Sequence, residues 1–145
     1  MKIRPFEIND LPASADIFIE VFNSEPWNDR WTIQLATEYF QDVIATPGFH
    51  GFVFEKEAAI VGFVLGTRKK WWSGDIYYLY EMCVNSTFQG IGIGSQIMAE
   101  TKKSLINKGF SSIVLLTERT FPSARFYEKH GFLESPDTRF YFCSL

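Results

Sequence analysis

No apolar run in this chain approaches the roughly 20 residues that a bilayer-spanning helix requires, so no membrane partner is expected. Cysteine is scarce. Cys83 and Cys143 are the only two in 145 residues, too few for a disulfide framework and in no metal-ligand spacing. Histidine is as scarce, with only His50 and His130, and neither stands in a ligand pattern, so no metal is expected. An excess of one charge sign is also missing. At a net charge of −3 there is no general attraction to nucleic acid or to an anionic membrane. The segment Met1-Lys2-Ile3-Arg4-Pro5 reads as a strand and lacks the apolar stretch of a secretion signal. A cytoplasmic protein with reduced thiols is the expectation.

What is present suits one compact domain over residues 1–145, with 46% hydrophobic and 17% aromatic residues. Lys2 to Ile8 reads as a first strand. Asp10 is placed to cap a helix over about Pro12 to Phe22, and Thr32 to cap a second one running to Ile44. Phe52 to Glu55 and Ala59 to Thr67 read as a hairpin turning near Lys56-Glu57. Ile76 to Val84 follows as a strand, Gly92 to Lys108 as a helix stopped by Gly109, and Ser112 to Leu116 as a buried strand. Pro122 to His130 reads as a helix, and Phe132-Leu133 with Arg139 to Ser144 as a closing strand pair. Mixed strands and helices of this kind suit an α/β or α+β sheet covered by helices.

The stretch from Val84 to Gly94 is the most informative. A strand enters it, and a helix with Ile93, Ile97, Met98, Thr101 and Leu105 on one face leaves it. Gly90, Gly92 and Gly94 stand at every second position between the two. A strand-to-helix loop without obstructing Cβ atoms turns its backbone N–H groups toward the helix N-terminus, where the dipole also favours a phosphate. Two nucleotide loops fail on spacing. Gly94-Ser95 lacks the lysine of a P-loop, and the glycines are too evenly spaced for a dinucleotide fingerprint. Taken alone, the glycines also fit simple packing of helix on strand.

Gln89-x-x-Gly92-x-Gly94 resembles the coenzyme pyrophosphate loop of the GNAT superfamily of N-acetyltransferases, Gln/Arg-x-x-Gly-x-Gly/Ala. Ser123-Ala124-Arg125-Phe126-Tyr127-Glu128-Lys129-His130-Gly131-Phe132 is similar to that family's Ala-x-x-Leu/Phe-Tyr-x-x-x-Gly-Phe block. The resemblance runs from about Ala59 to Phe132. It departs at Phe121, where an Asn is frequent, and at Ser86, where a Pro is common. The resemblance implies a mixed, mostly antiparallel sheet with helices on both faces and splayed fourth and fifth strands. It implies acetyl-CoA as cofactor, with Met82, Cys83 and Val84 offering main-chain groups to the pantetheine. Gln89, Gly90, Ile91, Gly92, Ile93, Gly94, Ser95, Ser123 and Tyr127 would complete the coenzyme contacts. Tyr127 matches the family's general acid, although Phe121, Ala124 and Tyr127 also fit a plain core stripe.

For the base, the residues point to Glu81. It is the one ionisable carboxylate between Ile76 and Val84, in apolar and aromatic surroundings that raise an acid's pKa toward working pH. Strand alternation also allows it to face solvent. In several relatives the carboxylate sits an even number of residues before the Val, at positions held here by Tyr78 and Tyr80. Reconciling the two takes a bulge, a relaying water, or a share of the site for Tyr80. Glu118 is held in reserve. The resemblance places the variable acceptor wall at Glu25-Pro26-Trp27-Asn28-Asp29-Arg30-Trp31, between the first two helices; there Glu25 and Trp27, with Tyr80, suit an alkylammonium through charge and cation–π contact. Trp71-Trp72 beside Lys69-Lys70 suits a lid or a homodimer contact. The expected activity is acetyl transfer to a primary amine of a small cationic molecule. The alternatives are a protein N-terminus or lysine as acceptor, and a non-catalytic acyl-CoA-binding module.

Overall fold

The computed structural model describes residues 1–145. Strands β1 (Lys2–Pro5), β2 (Phe49–Lys56), β3 (Ala59–Lys69), β4 (Ile76–Val84) and β5 (Ser112–Val114) form one sheet in the order β1-β2-β3-β4-β5. The first three pairings are antiparallel, and β4 with β5 is parallel. Helices α1 (Leu11–Phe22) and α2 (Ile33–Ala45) cover one face; α3 (Ile93–Asn107) and α4 (Pro122–Lys129) lie on the other. No helix is long and apolar enough to cross a membrane.

Local chemistry accounts for most boundaries. Thr32 caps α2 by accepting from the Leu35 amide at 3.2 Å. The β2–β3 turn closes on Glu57 and Ala58, both at left-handed φ (+53° and +64°), the handedness a tight hairpin requires. Gly109, at φ +83°, ends α3. The α3 residues Ile93, Ile97, Met98, Thr101 and Leu105 are all buried, as their helical spacing predicts. Burying each large apolar side chain among them contributes roughly 2 kcal/mol.

Four expectations need correction. Strand β1 ends at Pro5 instead of Ile8, because Ile8–Asp10 winds into a 3₁₀ turn. Asp10 precedes α1 but does not cap it. Its carboxylate accepts both Arg4 Nη groups at 2.7 Å and the Glu7 amide at 2.8 Å, partners stronger than a helix-end N–H. Strand β5 stops at Val114 instead of Leu116, because its pairing with β4 ends at Tyr78. The closing strand pair is absent. Beyond Phe132 the chain takes no regular structure, Glu134 is drawn to Arg119, and Phe140, Tyr141 and Phe142 are exposed.

Candidate active site

Strand β4 carries an irregularity that decides where Glu81 points. Leu65 of β3 lies opposite Glu81, and the next residue, Gly66, lies opposite Leu79, so Tyr80 has no partner. Tyr80 is therefore an extra residue, a β-bulge, and a bulge reverses which face the following side chains meet. Tyr77 and Leu79, before it, pack on the α3 side; Cys83, after it, packs with α1 and α2. Glu81, two residues before Cys83 and so on the same face, meets α2, where Tyr39 Oη donates to its Oε1 at 2.8 Å. Without the bulge, strand alternation would bury this carboxylate beside Leu79 in the α3 core.

Glu81 is half-buried. Loss of hydration pushes its carboxyl from the ordinary 4.5 up to about 7, the Tyr39 hydrogen bond opposes the rise, and the charge of Asp29 adds to it. Its second oxygen has no partner in the chain and keeps contact with solvent. That leaves a proton acceptor poised near neutrality with one lone-pair face open.

The amides at the start of α3 form the other half of the site. Gly90 and Gly92 take φ values of +75° and +86°, and a Cβ at either would meet nothing within 4 Å. These two glycines turn the backbone left-handed and leave the space before it clear. The amides of residues 90 to 95 make no backbone hydrogen bond of good geometry, whereas Gln96 N donates to Gly92 O at 3.2 Å. Up to six unpaired donors thus lie at the positive end of a 15-residue helix. Gly94 differs, because a Cβ there would touch the Phe126 ring at 3.4 Å. Gln89 Nε2 donates to Val84 O at 2.9 Å, tying the loop to the end of β4. Ser95 Oγ lies 3.0 Å from His130 Nε2, which joins the helix start to the end of α4.

Between the two halves runs a free strand edge. Because β4 and β5 pair only over Ile76–Tyr78 and Ser112–Val114, the β5-side main chain of Met82, Cys83 and Val84 has no neighbouring strand. Tyr127 of α4 borders this opening, packed against Phe126 and Phe132 at ring separations of 5.4 Å. Burial, then the charges of Glu81 and Cys83, hold its phenol well above the usual range, so it stays protonated. Its hydroxyl makes no hydrogen bond. Ser123 Oγ, 2.8 Å from Thr117 Oγ1, is occupied within the β5–α4 connection. The Cys83 thiol is buried and its pKa pushed up by burial, so it is no nucleophile.

On the α2 side the site is walled by aromatic rings. Trp27 meets Phe121 edge-on at 6.2 Å and Phe22 at 5.0 Å, joining the α1–α2 loop to the start of α4. Phe121 thus occupies the frequent Asn position with a ring that closes the wall. Tyr80 is exposed on the bulge, its ring 5.0 Å from that of Tyr78. Glu25 is exposed at the loop's outer end and is not brought to Glu81 by any contact. Tyr39 was not among the residues picked out from the sequence, whereas Trp31 closes the Glu25-to-Trp31 stretch expected to face the acceptor. Their rings stack at 5.4 Å and 28°, directly behind Glu81. The only sequence signal for Tyr39 is that it borders the buried stripe Ala36, Phe40 and Val43.

Residues 16–132 match the model of the acetyltransferase (GNAT) family. An uncharacterized N-acetyltransferase, ycf52, from Porphyra purpurea is 30% identical over 83 residues. That match takes in 57% of this chain and 45% of the relative, so the chain spans about half the length of the curated relative it matches. A possible acetyltransferase from Clostridium difficile 630 superposes with a TM-score of 0.84 at 15% identity, over 99% of this chain and 97% of that one. An aminoglycoside acetyltransferase, meta-AAC0020, from an uncultured soil metagenomic sample, in complex with sisomicin, gives 0.73 at 22% identity, over 99% and 96%. At such identities the two structures speak for the fold alone. The family model covers most of the chain, including the amide-lined loop, the splayed strands and the Tyr127 helix, and the chain belongs to the acetyltransferase (GNAT) family.

Proposed function

We propose that this protein transfers the acetyl group of acetyl-CoA to a primary amine of a small cationic molecule, by direct attack with donor and acceptor bound together. One observation carries the reading. The Tyr80 bulge turns Glu81, a carboxyl pushed up to about 7 with one free oxygen, toward the aromatic wall at the head of the open edge of β4. The residues fit the donor, since the free amides at 90 to 95 and the clear space before Gly90 and Gly92 suit a diphosphate, and the unpaired edge suits pantetheine.

Acetyl-CoA supplies a thioester carbonyl open to attack by nitrogen. Glu81 Oε2 takes a proton from the incoming ammonium. Its raised proton affinity narrows the gap to an alkylammonium, whose ordinary pKa is about 10. A main-chain N–H on the free edge of Met82–Val84 stabilises negative charge on the carbonyl oxygen. Tyr127, held protonated, gives its proton to the departing sulfur as the C–S bond breaks; the nitrogen of the new C–N bond gives up its second proton, which restores the phenol, and the proton on Glu81 leaves to solvent. Cys83 is too deeply buried and too firmly protonated to form an acyl-enzyme, which favours the direct route.

Asp29, Trp27, Trp31 and Tyr80 favour a cationic acceptor through charge and ring faces, with Glu25 at the rim. The likeness to an aminoglycoside acetyltransferase bound to sisomicin runs in the same direction. Cytoplasmic location fits the two free thiols, and Trp71 and Trp72, 48% and 90% exposed, are the surface through which a homodimer would form. The test is release of free coenzyme A from acetyl-CoA in the presence of a panel of primary amines. Turnover on small cations that is lost in Tyr127→Phe supports the reading. Tight coenzyme binding with no turnover on any amine overturns it in favour of a binding module.

A further inference from the structure

The base does not stand alone. Tyr39 reaches Glu81 from α2, and behind Tyr39 lies a chain of contacts that fixes the ring. Trp31 stacks on it at 5.4 Å. The Trp31 indole N–H donates to Asp29 Oδ2 at 3.0 Å. The Trp31 main chain is pinched by Asn23, which accepts from its N–H at 2.8 Å and donates to its carbonyl at 2.9 Å. Asn23 is the C-terminal cap of α1, so the ring is anchored to both helices on that face. Phe18 and Phe40 flank it, each with its ring 6.0 Å away. The phenol therefore has little freedom, and its one hydrogen bond goes to Glu81 Oε1.

We propose that Tyr39 is a positioning residue for the reaction, holding Oε1 of Glu81 so that Oε2 faces the acceptor and keeping the carboxylate deprotonated at neutral pH. This rests on Glu81 acting as the base. A hydrogen bond to the charged form favours that form, and here it is the only influence that does. The other titratable groups around this pair are Asp29 in the α1–α2 loop, which acts on Glu81, Tyr127 on α4 and Cys83 on β4, which feel its charge, Tyr78 and Tyr80 on β4, which act on Tyr39, and Glu20 on α1, which acts on Cys83. None of these is a cation. Asp29 pushes toward the protonated acid, as burial does. Tyr39 is itself held protonated by burial and by the charge of Glu81, so it donates throughout the working range.

Tyr39→Phe keeps the ring and its stack and removes the donor alone. The acid limb of the kcat/KM profile then moves up by about 1 pH unit from about 7, a roughly fivefold loss at pH 7 that is recovered near pH 9. A purely structural role predicts a loss that no pH restores. A second measurement needs no turnover. The side-chain carboxyl carbon of Glu81, assigned by comparison with Glu81→Gln, is titrated by 13C NMR in the coenzyme-free protein. A midpoint raised by about 1 unit in Tyr39→Phe supports the proposal; an unchanged midpoint overturns it. Should Glu81→Gln keep full activity, the base reading fails by that result, while the NMR titration still decides whether Tyr39 sets the proton affinity of Glu81.

Discussion

Two glycines of α3 form a matched pair. Gly92 begins the helix at φ +86° and Gly109 ends it at φ +83°, and a Cβ at either meets no atom within 4 Å. Alanine at each position therefore carries the same penalty, a left-handed backbone worth roughly 1 to 2 kcal/mol with no steric clash to add. For a domain of this size a loss near 1 kcal/mol lowers the melting temperature by roughly 3 °C. The two variants should be equally destabilised, and calorimetric titration with coenzyme A should separate them. The methyl of Gly92→Ala enters the space that the free amides of 90 to 95 face, so affinity should fall at least about tenfold, or about 1.4 kcal/mol. The methyl of Gly109→Ala lies at the far end of the helix, and affinity should hold. Equal affinities in the two variants would refute the assignment of that space to the diphosphate. Unequal unfolding would refute the claim that only backbone strain is at stake.

Glu81→Gln should lower kcat by about 10²- to 10⁴-fold with little change in KM for acetyl-CoA, measured by coenzyme release. In the wild type, kcat/KM should rise with pH through about 7 as the carboxyl loses its proton. The same group sets a stability trend. Because folding raises its pKa from 4.5 to about 7, the folded state binds the extra proton, and stability falls as pH rises across that window. Glu81→Gln should therefore melt above the wild type at pH 8, by up to about 3 kcal/mol, and match it at pH 4, as read by thermal unfolding. Asp10→Ala, which strips Arg4 and the Glu7 amide of their shared acceptor, should cost about 2 kcal/mol in urea unfolding while kcat is unchanged. Tyr127→Phe should leave unfolding unchanged, since its hydroxyl bonds to nothing in the chain, yet slow turnover by at least about tenfold.

What could be read from the sequence was what depends on neighbours along the chain. The buried face of α3, the Thr32 cap and the left-handed glycines follow from local spacing and turn chemistry. The bulge at Tyr80 does not, because it exists only in the register of β4 on β3, which no single strand reveals. Alternation put Glu81 in doubt, and the bulge turns it toward α2. Tyr39 was invisible for a related reason, since its partner lies 42 residues away. Asp10 was misjudged because Arg4, on β1, outbids a helix N–H. The apolar residues after Arg139 suit a strand, yet a strand needs an edge to pair with, and alternation does not say which edge it meets.

The most direct measurement of the central claim is a 1H–15N spectrum of the labelled protein as coenzyme A is added. The account predicts its largest downfield amide proton shifts at residues 90 to 95, with smaller ones along Met82 to Val84. Saturable binding that leaves those amides unmoved, or no binding at all, would contradict it.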